Sequence, residues 1–83
     1  MPAPQGDTTQ GQPHTVYVPA TVDVKAIRTR LGLTQEAFAQ RYGFELSSIR
    51  NWEQGRRQPE GPARILLLVI DKEPEAVHWA LAS

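Results

Sequence analysis

The sequence predicts an all-α fold: five short helices carrying a flexible N-terminal tail. Three observations predict it. Apolar residues beyond position 21 fall at helical spacings; Asp23, Thr34 and Pro62 stand where helices begin, and Gly32, Gly43 and Gly55 where they end; and the first 21 residues have a different composition. The chain therefore divides into a tail over 1–21 and one helical domain over 22–83.

The tail holds Pro2, Pro4, Pro13 and Pro19, several Gln and Thr, and no Lys or Arg, too little apolar content to fold alone. It lacks the basic and apolar regions of a signal peptide. With no cysteine and no transmembrane run in the chain, the expected location is the cytoplasm. Val16, Tyr17 and Val18 form a short β-prone stretch suited to adding as a strand to a partner's sheet. The plainer alternative is a linker, or a few residues packed on their own domain.

Asp23 caps a first helix running to Leu31, with Val24, Ile27 and Leu31 on one face, and Gly32 stops it. Thr34 caps a second helix with Ala37, Phe38 and Tyr42 as its apolar positions; Ala39 is small enough for a crossing helix to approach, and Gly43 ends it. A third begins near Glu45 or Leu46, turns Ile49 and Trp52 inward, and closes at Gly55. Pro62 opens a fourth helix through Lys72. Its run from Ile65 to Ile70 also fits a buried strand, but leucine content and the proline start favour a helix. A fifth, from Glu73 to Ala82, opens with Pro74 and offers Val77, Ala80 and Leu81 on one side.

Gly32 to Gly55 is thus two short helices joined at one glycine, a helix-turn-helix, and its outward residues point to DNA. Ser47, Ser48, Arg50 and Asn51 face outward from the third helix. In a major groove Asn bonds adenine bidentately, Ser meets several bases, and Arg takes guanine or phosphate. Gln35 lies in the first turn of the second helix, where the dipole and free N–H groups favour a phosphate oxygen. Arg56 and Arg57 follow the third helix directly and suit the flanking backbone, contacts that fix register without reading sequence. On an arbitrary helix these residues are a solvated face; their joint spacing argues otherwise.

The runs Arg28 to Ala39, Gly43, and Ser47 to Pro59 resemble the phage-repressor (Cro-type, XRE) helix-turn-helix family, and most closely its HigA-type antitoxins of bacterial toxin–antitoxin operons. The resemblance covers about residues 22–82. It implies a five-helix phage-repressor-like domain, a phosphate contact for Gln35, base-reading positions at Leu46, Ser47 and Asn51 with Arg50 beside them, and an ion pair between Arg28 and Glu53. Leu46 departs from the pattern, since an apolar side chain meets a thymine methyl but hydrogen-bonds no base. The antitoxin branch further implies repression of its own operon and neutralisation of a RelE- or HigB-like toxin.

Charge and length bound the partners. Nine basic and nine acidic residues cancel, yet residues 24–64 hold eight of the basic against four acidic, so the local footprint is basic. A small domain without disulfide or metal staple gains from dimerisation, and the last two helices suit that interface. A two-fold dimer presents its third helices about 34 Å apart, matching a near-palindromic operator. His14 and His78 have no evident catalytic partner, and no phosphate loop, metal cluster or cofactor box appears, so no enzyme, cofactor, metal or membrane role is expected. Two alternatives stand beside the antitoxin: a stand-alone or phage-type regulator, and a protein-interaction module that has lost DNA binding.

Overall fold

A computed structural model describes residues 15–82; the remainder of the predicted tail and Ser83 lie outside the described residues. Five helices follow one another: α1 (Val24–Arg30), α2 (Gln35–Tyr42), α3 (Leu46–Glu53), α4 (Pro62–Lys72) and α5 (Pro74–Ala82), with no strand among the described residues. The run from Ile65 to Ile70 is therefore helix.

Local chemistry sets the boundaries. Asp23 Oδ1 accepts the Ala26 N–H and Thr34 Oγ1 the Ala37 N–H, each at 3.0 Å, satisfying donors that the first turns of α1 and α2 leave open. Gly43 closes α2 at φ 77°, left-handed backbone that lets the Phe44 N–H reach back to the Ala39 carbonyl at 2.9 Å. The Glu45 side chain caps nothing at the start of α3. α3 ends two residues before Gly55, the glycine expected to close it.

The helices converge on Phe38, Ile49, Leu67 and Ile70, all fully buried, with Val24, Ile27, Ala39, Tyr42 and Val77 around them. Each fully buried large side chain contributes about 1.5–3 kcal/mol. Aromatic contacts extend the core toward α3: Phe38 meets Tyr42 at 5.1 Å between ring centroids and Phe44 at 5.9 Å, and Phe44 meets Trp52 edge-on at 5.5 Å. Arg30 pairs with Asp71, tying α1 to α4.

The apolar faces of α4 and α5 are covered only in part. In α5 only Val77 of the predicted face is buried, while Ala80 and Leu81 are exposed. An open cleft of about 390 Å³ lined by Ala37, Gln40, Arg41, His78, Leu81 and Ala82 lies between α2 and the end of α5, and Leu81 is 55% exposed. In α4, Leu67 and Ile70 are buried while Ile65 and Val69 remain 51% and 43% exposed. Ahead of α1 the chain has no regular secondary structure and bends at Ala20: Val16 and Tyr17 are exposed, Val22 packs on the core, and Arg64 Nη1 donates to the Ala20 carbonyl at 3.3 Å.

Candidate nucleic-acid interface

Ile49 is the pivot of the site. Fully buried in the middle of α3, it fixes the rotation of that helix, so Ser47 and Arg50 face solvent and Ser48 and Asn51 are half-exposed beside them. After α3 the chain turns tightly: the Asn51 carbonyl accepts the N–H groups of Arg56 at 3.0 Å and Arg57 at 3.4 Å. That turn leaves both arginine side chains exposed next to the helix. Ser48, Trp52, Arg56, Arg57, Gln58, Glu60 and Ala63 line an open groove of about 600 Å³ there.

Beneath this surface lies a charged clamp. Arg28 Nε donates to Glu53 Oε2 at 2.7 Å and Nη2 to Oε1 at 2.8 Å, a two-pronged pair with 13% and 5% of the side chains exposed. Arg28 Nη1 also donates to the Leu33 carbonyl at 3.0 Å. The clamp ties α1 to the end of α3 and to the loop before α2. Hydrogen bonding from Arg28 holds the Glu53 carboxyl below its ordinary range, against the opposing effect of burial. The same bond raises Arg28. Burial raises Tyr42, whose hydroxyl donates to the Pro74 carbonyl at 3.3 Å.

A helix-turn-helix model matches residues 24–62. A crystal structure described as an HTH XRE-family like protein, from Agrobacterium tumefaciens, is 47% identical with a TM-score of 0.69, over 71% of this chain and 95% of that one. The chain belongs to the XRE helix-turn-helix family. Antitoxin HigA-2 of Vibrio cholerae is 31% identical over 55 residues, 66% of this chain, and the aligned region spans about half of that antitoxin, 53%.

Within the XRE framework α3 stands as the second helix of the motif, and the candidate residues fall into two groups. Ser47, Ser48, Asn51, Arg56 and Arg57 make no side-chain bond to another described residue and lie together along α3 and the turn after it. The other three are already engaged. Leu46 packs partly against the core, which accounts for its apolar character without a thymine methyl. Gln35 Nε2 donates to Glu53 Oε1 at 3.1 Å. Arg50 Nη2 lies 3.4 Å from Glu36 Oε2, an exposed and therefore weak pair. Sequence reasoning missed Glu36 and the tie from Gln35 to Glu53, because both connect residues 14 to 18 positions apart on different helices. The helix-turn-helix crossing was the available signal for both, since it brings the start of α2 against α3.

Val16, Tyr17 and Val18 stand away from this surface in sequence; the first two are exposed and the third half-buried. Among the described residues no group of His, Cys, Asp and Glu is placed to hold a metal ion, and no helix is long and apolar enough to cross a membrane.

Proposed function

We propose that this chain is a sequence-specific DNA-binding transcriptional repressor, reading the major groove with Ser47, Arg50 and Asn51 while Gln35, Arg56 and Arg57 hold the phosphate backbone. One observation carries the reading: the buried Ile49 and the Arg28–Glu53 clamp turn a polar stripe of α3 outward, with two exposed arginines directly after it. Asn and Arg supply base-edge bonds and Ser supports them. Leu46 contributes shape at most. The repressor works as a homodimer on a near-palindromic operator, with exposed Ile65, Val69, Trp79 and Leu81 of α4 and α5 supplying apolar surface for the interface.

The likeness to HigA-2 supports a finer role as the antitoxin of a type II toxin–antitoxin operon, repressing that operon and neutralising a RelE- or HigB-like toxin. Exposed Val16 and Tyr17 suit strand addition to such a toxin. A second reading, a stand-alone XRE regulator, is supported by the 47% identity to the Agrobacterium XRE-family like protein over 95% of that chain. A module without DNA binding is favoured only by the side-chain partners of Gln35 and Arg50 and the zero net charge. Replacing Asn51 and Arg50 together by Ala separates the classes. Loss of the gel shift on the chain's own upstream DNA supports the repressor, and an unchanged shift removes it. Pull-down of the product of the neighbouring reading frame by the wild type, lost on deletion of residues 1–18, separates antitoxin from plain regulator.

A further inference from the structure

A glutamine amide presents donor or acceptor depending on a half-turn of its last torsion, and only a neighbour that distinguishes nitrogen from oxygen fixes the choice. A phosphate is attracted by the nitrogen side alone. At Gln35 the neighbour is Glu53: Nε2 donates to Oε1 at 3.1 Å, and an ionised carboxylate, which only accepts, rejects the flipped amide. Glu53 is itself immobilised, both oxygens held by Arg28 and its side chain 5% exposed. Arg28 also bonds the Leu33 carbonyl, two residues before Gln35. The guanidinium of α1, the first residue of α2 and the last residue of α3 therefore form one connected unit. Nε2 carries two hydrogens; Glu53 takes one, and the other has no partner among the described residues.

We propose that Glu53 is a positioning residue for DNA binding: its side chain largely covered and touching no DNA, it orients the Gln35 amide so that the remaining N–H meets a backbone phosphate at the start of α2. The proposal rests on the DNA-binding reading above. It assigns a functional consequence to a pair that otherwise reads as purely structural, and it separates the neutral contact made by Gln35 from the charged contacts of the arginines.

The test measures affinity for a duplex from the chain's own upstream region, over a salt series, for the wild type, Gln35→Met, Glu53→Gln and the double variant. Each single change is expected to weaken binding about tenfold per protomer, the loss of one hydrogen bond to a charged group, and so about a hundredfold for a dimer that loses two. The double variant is expected to bind no more weakly than Gln35→Met alone. The dependence of log affinity on log salt is expected to stay unchanged, because a neutral amide releases no counterion. A general loosening of the domain would instead flatten that dependence by detaching Arg50, Arg56 and Arg57, and overturns the proposal, as do additive losses in the double variant. Gln35→Met binding like the wild type overturns the proposal and leaves the DNA-binding reading standing; a wild type that does not retain the duplex overturns both. Should Glu53→Gln fail to fold, the wild type alone decides. Its Gln35 side-chain amide is expected to exchange hydrogen slowly in the free protein and to shift in NMR spectra when duplex is added. A free-glutamine signal, or one indifferent to the duplex, overturns the proposal.

Discussion

Arg28 and Glu53 meet through two parallel hydrogen bonds in a part-buried setting, and removing either leaves the other without its counter-charge. Breaking a fully buried pair costs about 3–5 kcal/mol, an upper bound for this part-buried one, so Arg28→Met is expected to lower the urea midpoint clearly; an unchanged midpoint contradicts the clamp. The pair also sets a pH dependence. The folded-state carboxyl lies below its ordinary value of 4.5, so its contribution is fully present above that value and is lost as pH falls through the depressed one. Glu53→Gln is expected to lose less stability than the wild type on acidification below pH 4.5, checked by urea titrations at stepped pH. At Gly43 the issue is backbone alone: φ is 77° and an added Cβ meets nothing within 4 Å. Gly43→Ala is expected to cost about 1–2 kcal/mol, the left-handed penalty of an L-residue, with DNA affinity intact once folded.

At the scale of elements, helix starts and stops were legible because they are local. Asp23, Thr34, Gly43 and Pro62 act through their own backbone and the next few residues, and each sits where its chemistry required. The inward residues of α3 were legible for the same reason, since Ile49 and Trp52 share a face at helical spacing. What sequence left open depends on neighbours: the exposed last turn of α5 borders an open cleft beside α2, and the engagement of Gln35 follows from how α2 crosses α3. Of the candidate site, the stripe on α3 was readable and the positions already occupied by partners were not. α4 carries the clearest element-level prediction. Ile65 and Val69 are one helical turn apart and half-exposed, the pattern of an apolar face awaiting cover. Changing both to Glu is expected to leave the helical circular dichroism intact, convert a dimer to a monomer in sedimentation, and weaken operator binding. A variant that remains dimeric contradicts α4 as the interface.

For the whole molecule, overall neutrality conceals a basic segment, and pairing trims it further. Among the eight basic residues of 24–64, Arg28, Arg30 and Arg50 have carboxylate partners, leaving Arg56 and Arg57 as the arginines nearest α3 with no carboxylate partner among the described residues. Binding should therefore depend on few phosphate contacts and on the doubling that a dimer provides. Two or three arginines per protomer give a dimer a log–log salt slope of roughly −4 to −5. The measurement that reaches the central claim most directly is a fluorescence anisotropy titration of the upstream duplex against a scrambled duplex, for the wild type and the Arg50→Ala, Asn51→Ala variant, across salt. The account predicts that the wild type prefers the upstream duplex with a slope in that range, and that the variant loses the preference while keeping weak, salt-sensitive binding to both. Equal wild-type affinity for the two duplexes, or a preference that survives the loss of Arg50 and Asn51, would contradict it.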